Sequence, residues 1–504
     1  MNIKKSIQAI GMLFFLTIFS KAVGFLRTSI TAACFGMDTN TDLYNLADGI
    51  VNQLFHAFSS AIVIIIVPLF LRQKKINEKE CKIFAKSAYI SLWVLCIFLI
   101  LCLFFLSPYI AQVMGHEYNT SNQRMLSDFI RVLSLGIAIS IITYSLQSLL
   151  NANQIYGFPA ICAISNSVIV ILFSVFLNDD LGLWALVISS PVAYAVQLLI
   201  LRVRSKEILS VKISECRFDQ NIKHLFASMI PIFIGNATLE INGLIDKFLL
   251  TGLNEGAITA TTYANTLLTF ATNIIMIPLN TVLFTDVSNL LANNQKEKIK
   301  EITEKSLLGV LLICIPIMVI MIACSYEIVD ITYGHGRYSA EAVNLTSIAF
   351  SIYSLSMGFH VIRYTLNRIL YAFIDTKAPM LIGCITVIIH VISAIILVRV
   401  LGMPGIVLSN VIDVIFATAI TYIYLCKKYI HIGLRNYRRV ICSITVAAIA
   451  MFFIIKFLKC YSSFNNLIAL FVYTLFGLII YAVTLLVLDK RIRSFLVDFW
   501  RKGK

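Results

Sequence analysis

The sequence predicts an all-α polytopic membrane protein of about fourteen transmembrane helices, built as two six-helix lobes related by a parallel repeat plus two C-terminal helices. Three observations predict it. Of 504 residues, 59% are hydrophobic and only 13% charged, and the mean hydropathy is +0.87, so the solvent for most of the chain is lipid. Apolar residues gather into about fourteen runs, each near the ~20 residues that a membrane helix needs. Finally, the chain aligns with itself at an offset of 220 residues.

The runs are taken in order. The first six lie near 8–33, 46–71, 86–114, 126–150, 158–178 and 182–202. A polar stretch, "RVRSKEILSVKISECRFDQNIK", separates them from six more, near 223–250, 257–291, 306–331, 341–373, 379–399 and 402–425. After the basic linker "KKYIHIGLRNYRR", two further runs lie near 438–458 and 466–488. The expected organisation is an N-terminal lobe at 1–205, a cytoplasmic linker at 206–222, a C-terminal lobe at 223–426, and a basic linker, last helices and tail at 427–504. The first run is long and has many successors, so it reads as an anchor and not as a cleaved signal.

Charge placement gives the sidedness. Lys4 and Lys5 precede the first run, and Arg72, Lys74, Lys75, Lys79, Lys82 and Lys86 follow the second. Arg202, Arg204, Lys206, Lys212, Arg217 and Lys223 follow the sixth, and later clusters follow the eighth, tenth, twelfth and fourteenth. All of these loops come after an even number of spans, and they hold about thirty of the 41 basic residues, which the positive-inside rule places in the cytoplasm. Both termini are therefore expected there. Topology accounts for the net charge of +15, so no nucleic-acid partner is needed. The twelve cysteines show no CxxC pair or zinc spacing and read as small apolar packing residues.

The repeat lays "LGLWALVIS" (181–189) over "LGMPGIVLS" (401–409) and "LLNANQIYGFPA" (149–160) over "ILYAFIDTKAPM" (369–380). The offset covers an even number of helices, so both halves have the same orientation. In transporters of this kind the substrate site lies between such repeats.

Within the first run, "SKAVGFLRTSI" carries two cations where each costs roughly 2.5–3.5 kcal/mol to insert. On a helix, Thr17, Ser20, Lys21, Gly24, Arg27, Thr28 and Thr31 share an arc of about 120°. Arg27 either snorkels to the headgroups at the end of the span or belongs to a polar stripe lining a water-filled cavity. Gly24 is a point of bending or close packing. Other charges inside spans are Asp48, His56, Asp128, Arg131, Glu240, Asp246, Lys247, His360, Arg363, Arg368, His390 and Asp413. Asp128 and Arg131 are spaced to pair at i, i+3, and Asp246 and Lys247 lie near a helix end. His360, Arg363 and Arg368 cluster in the second half's equivalent of the fourth span, and Arg363 is a candidate to face the cavity. No nucleophile–base array, paired-carboxylate motif or phosphate-binding Gly-rich loop stands out, so the chain does not read as an enzyme.

"SKAVGFLRTSITAACFG" followed by "TDLYNLA" resembles the opening of the MurJ/MviN-type lipid II flippases. "IPIFIGNATLEINGLIDKFLL", "YANTLLTF", "YGHGRYSAEAV" and "NRILYAFIDTKAP" are similar to later segments of that family, in order, over residues 1 to about 425. The resemblance implies the fold shared with multidrug and oligosaccharidyl-lipid exporters. It also implies a flippase that moves an undecaprenyl-pyrophosphate-linked saccharide to the outer leaflet by alternating access, with cavity cations on the pyrophosphate and a lipid-tail groove beside the last two helices. Lys21, Arg27 and Asp42 match the family pattern. Thr28 stands where an acidic residue is usual, Phe55 and His56 where arginines are, Ser60 where a glutamate is, and Thr266 where an arginine is. Two expected cations are thus absent.

The expected substrate-binding residues are Arg27, Lys21, Gly24, Asp42, His56 and Arg363, with Asp48, Glu240 and Asp246 as candidates for coupling to a monovalent ion or the membrane potential. No metal or cofactor is expected. The cargo is lipid II or a related peptidoglycan precursor, or another lipid-linked surface polysaccharide unit. An ion-coupled drug exporter and an inactive scaffold that recruits cell-wall or surface-glycan enzymes are the competing readings.

Overall fold

The computed structural model describes residues 3–155, 157–292, 295–373, 375, 377–433, 437–461 and 465–489. Among them, every regular element is helical. The helices are α1 (Ile3–Phe35), α2 (Thr39–Ile76), α3 (Glu78–Met114), α4 (Thr120–Ala152), α5 (Gly157–Phe176), the single turn α6 (Asn178–Leu181) and α7 (Leu183–Arg204). Then come α8 (Gln220–Leu250), α9 (Ala257–Ala292), α10 (Lys296–Ala323), α11 (Ser325–Tyr333), α12 (Ala340–Ser354) and α13 (Met357–Ala372). The last are α14 (Lys377–Leu401), α15 (Met403–Lys428), α16 (Arg438–Tyr461) and α17 (Asn466–Leu488).

Each expected run is occupied by helix, and two of them are broken. The run at 306–331 divides at Cys324 into α10 and α11, and the run at 341–373 bends by 43° between α12 and α13. Among the described residues, ten helices are long and apolar enough to cross a membrane, and the bent α12–α13 pair makes an eleventh. The remaining long helices, α1, α8 and α9, have 33, 31 and 36 residues, more than the roughly 20 that a span needs. Large apolar side chains such as Phe98, Phe105, Ile388, Ile396, Phe453 and Phe471 lie more than half exposed. Lipid, not water, is the solvent that suits such a surface.

Helix boundaries follow local chemistry. Asp38 opens α2 with a reciprocal cap: its carboxylate accepts from Thr41 N at 2.8 Å, while its own N–H donates to Thr41 Oγ1 at 2.9 Å. Asn77 ends α2 and caps α3. Asn119, Asp219, Ser339 and Asn465 cap α4, α8, α12 and α17.

The chain forms two compact units, residues 1–262 with 336–338, and residues 263–335 with 339–504. In the first, α4 packs on α2, α3 and α7, α5 on α1 and α7, and α8 along α2. In the second, α15 packs on α12, α13 and α14, and α10 contacts α12, α13 and α16. There α16 and α17 form a hairpin whose Met451, Ile455, Tyr473 and Tyr481 share a core with Val319 and Cys324. The first unit thus ends at 262, beyond the 206–222 boundary expected from the sequence. Helix α8, grouped by sequence with the second lobe, packs with α2 because its polar face is satisfied there.

The repeat is visible in backbone geometry. Gly182 and Gly402 both take the left-handed region before a span, at φ 53°, ψ −137° and φ 64°, ψ −136°. Gly36 and Gly256, also 220 apart, have φ 70° and 83°. The bonds Ile155 N→Leu150 O and Asp375 N→Leu370 O, both 3.0 Å, repeat at the same offset.

Candidate functional site

Within the first unit, α2 and α8 run antiparallel along a polar seam. Gln73 Nε2 donates to Asn221 Oδ1 (2.9 Å) and Asn236 Nδ2 to Ser60 Oγ (2.7 Å), while His56 Nδ1 lies 2.9 Å from Glu240 Oε1. Phe58 stacks on Phe233 at 4.0 Å. The helices approach closest at two glycines: a side chain on Gly243 would meet the Gln53 amide, and one on Gly49 would take the space of the Lys247 ammonium and its last methylenes. Lys247 Nζ donates to Asn45 O. Asp48 accepts from Asn52 Nδ2 at 2.7 Å, and the cations whose fields reach its carboxylate are Lys247 and Arg27. Tyr194 of α7 and Tyr144 of α4 lie in the same neighbourhood.

Arg27 is half-buried, and its Nη1 is 3.5 Å from Asn166 Oδ1 on α5. It lies among polar groups of three other helices, Asn166 of α5, Asp48 of α2 and Tyr194 of α7. Lys21 is exposed. Gly24 lies within the unbroken helix α1, and an added Cβ there would be in ordinary contact, 3.9 Å from Ser167 Oγ. Thr28 and Thr31 return their hydroxyls to backbone carbonyls of α1, and the Thr17 side chain lies outside the described residues.

Asp42 is buried and fully engaged. Its Oδ2 accepts from Gly256 N (2.8 Å), and its Oδ1 accepts from Thr259 N (2.8 Å) and Thr259 Oγ1 (2.6 Å). In return, Glu255 accepts from Thr39 N and Thr39 Oγ1, both at 2.7 Å. These Thr39 bonds hold the Glu255 carboxyl below the usual carboxylate range. Two repeat-related helix starts therefore cap each other, each through a carboxylate that belongs to the other. Asp42, expected to bind substrate, serves as a clamp in this structure, where both its oxygens accept from protein N–H or O–H donors. Asp246 is buried beside Lys247.

His56 is two-thirds exposed and lines a cavity of 370 Å³ with Ser59, Ser60, Tyr144, Gln147 and Asn151. The second unit has a counterpart of 310 Å³, between Asn265, Thr269, Thr272 and Asn273 of α9 and His360, Arg363, Tyr364 and Asn367 of α13. Tyr144 and Gln147 in one correspond to Tyr364 and Asn367 in the other, 220 residues on. Arg363 thus faces a cavity, with Asp413 Oδ2 3.9 Å from its Nη1. Arg368 instead bonds Tyr364 and lies over its ring. Asn367 Oδ1 is buried and accepts no hydrogen bond among the described residues.

Expected pairs behave as spaced: Arg131 meets Asp128 at 2.9 Å. The sequence reading missed the part of Lys247, which looked like a helix-end charge. Its signal was Gly49, a gap on α2 that fits a long side chain. Among the described residues no group of three or more His, Cys, Asp or Glu could hold a metal ion.

Repeat-related helical units, apolar exteriors and charges gathered in interior clusters define a multi-pass membrane protein of transporter architecture. The chain matches the family described as "Lipid II flippase MurJ" over residues 31–488. A "Probable lipid II flippase MurJ" of Buchnera aphidicola subsp. Schizaphis graminum is 23% identical over 533 residues, covering 100% of both chains. The solved structure "Lipid II flippase MurJ, inward closed conformation" superposes with a TM-score of 0.81 at 20% identity, covering 96% of this chain and 99% of that one. An inward-facing multidrug resistance MATE family transporter of the MOP superfamily gives 0.63 at 13% identity, covering 79% and 96%. The chain belongs to the MurJ lipid II flippase family.

Proposed function

We propose that this protein moves lipid II, or a closely related undecaprenyl-pyrophosphate-linked saccharide, from the inner to the outer leaflet of a bacterial cytoplasmic membrane by alternating access. It is a transporter and not an enzyme, with fourteen spans and both termini in the cytoplasm. Family membership over residues 31–488 carries the reading. The interior clusters give it a physical basis: Arg27 with Lys247 in one unit, and Arg363 in the other, offer cations to phosphate oxygens, and guanidinium suits them best. Asp48 and Asp413 serve as internal counter-ions that keep these cations solvated when no cargo is bound.

The decisive experiment is rescue of a strain depleted of its own lipid II flippase. Growth on the wild-type gene supports the proposal, and failure despite normal membrane insertion refutes lipid II as cargo. A second cargo class, another lipid-linked surface glycan, is favoured by one observation. The cation at position 56 is a histidine already engaged by Glu240, so this chain offers less fixed positive charge than the family pattern.

A further inference from the structure

On the α2–α8 seam, Glu240 of α8 meets His56 of α2 at 2.9 Å. Histidine is the one side chain whose ordinary titration spans pH 5 to 8.

His56 lies near the middle of the apolar run at 46–71. His56 is about 26 Å from the start of α2, a helix of about 57 Å at 1.5 Å per residue. Ionisable groups in such a run are costly to insert, and those that are kept mark functional sites. From His56 the 370 Å³ cavity is walled by Ser59, Ser60, Val63 and Ile64 of α2 and by Tyr144, Gln147, Ser148 and Asn151 of α4. It therefore extends toward the C-terminal ends of both helices, where Lys74 and Lys75 mark the cytoplasmic side. In the other direction the seam continues to Gly49, Lys247 and Asp48. The ionisable groups around His56 are Glu240 on α8, Tyr144 on α4 and, further along the seam, Asp48, Asp246 and Lys247.

We propose, resting on the transport reading above, that His56–Glu240 is a proton-binding site through which a pH difference across the membrane is coupled to cargo movement. Nδ1 faces Glu240, so Nε2 is the ring nitrogen left to accept a proton from cavity water. With both nitrogens protonated, the contact is an imidazolium–carboxylate ion pair. Release of that proton from Nε2 to water leaves a neutral imidazole N–H donating to the carboxylate, without the attraction between two full charges. Protonation thus tightens the α2–α8 seam, and deprotonation loosens it. No other co-reactant is involved.

The test uses the full-length protein in vesicles containing fluorescent lipid II, with the membrane potential clamped and the pH set on each side. The wild-type rate should change by about tenfold between pH 6 and pH 8, as one titrating imidazole implies. In His56→Arg, whatever its absolute rate, that ratio should fall to about one. A wild-type rate indifferent to pH, or a ratio preserved in His56→Arg, overturns the proposal. Imidazole NMR of the reconstituted protein tests the site without transport. The His56 ring signals should titrate over the pH range in which the transport rate changes, and their midpoint should move in Glu240→Gln. A His56 that does not titrate over that range overturns the proposal independently. Wild-type vesicles that never flip lipid II, with His56 titrating normally, would instead refute the transport reading.

Discussion

Replacing Asp42 separates a structural from a cargo-binding role. The carboxylate accepts three hydrogen bonds at 2.6–2.8 Å, two from backbone N–H groups at the start of α9. Asp42→Ala removes all three and leaves the Gly256 and Thr259 N–H groups buried without acceptors. Charge-assisted bonds contribute about 1.5–3 kcal/mol each but do not add fully, so the loss should be about 3–5 kcal/mol. Asp42→Asn keeps one acceptor oxygen for Thr259 and turns its amide N–H toward the Gly256 N–H, for about 1.5–3 kcal/mol. Thr259→Val alone should cost about 1 kcal/mol, and much less in the Asp42→Ala background. Equilibrium unfolding of the purified protein by SDS titration from mixed micelles measures each corner of the cycle. An Asp42→Ala protein within about 0.5 kcal/mol of wild type would refute the clamp. So would an Asp42→Asn protein of unchanged stability that has lost transport, because the carboxylate would then be serving cargo.

Other outcomes follow from the same contacts. Gly49→Ala should displace Lys247 from Asn45 O and abolish complementation while membrane insertion is retained, with insertion read from immunoblots of the membrane fraction. Arg27→Ala should likewise abolish complementation at normal protein levels, and retained activity would remove Arg27 from the cargo site. Asp375, in the segment between α13 and α14, accepts from Lys428, Tyr424 and Tyr429 at 2.8–2.9 Å. Lys428 leads these donors in holding the carboxyl well below its ordinary range. A depressed carboxylate stabilises the fold above its unfolded-state pKa of about 4, and that contribution is lost as pH falls through the folded value. Asp375→Asn should therefore melt below wild type at pH 7, with the gap closing as the pH falls below about 4.

Much of the fold was legible because it is written locally. Each apolar run became helix, and the 220-residue offset reappears in the dihedrals of Gly182 and Gly402. The breaks at Cys324 and between α12 and α13 were not legible, because hydropathy sees composition and not direction. The site was harder to read. Arg27 stood out because a guanidinium in an apolar run is conspicuous on its own helix. Asp42 looked like part of a local motif, yet its donors lie more than 210 residues away. His56 looked like a lost arginine until Glu240 appeared across the seam. Lys247 was hidden because the niche that accepts it is an absence, the missing side chain of Gly49. Pairings between distant spans depend on which helix faces which, and periodicity within one helix carries no information about its neighbour.

The two repeats also differ in stiffness. Helix α4 runs unbroken for 33 residues, with Pro191 seated against Gly136, where a side chain would overlap the proline backbone. Its counterpart 220 residues on is jointed, bending 43° between α12 and α13. There Ser356 stands in place of that glycine and Val411 in place of that proline. Under the same load a rod and a hinge respond unequally: the rod transmits force along its length, while the hinge absorbs it as rotation. Two halves descended from one plan have thereby become a strut and a joint.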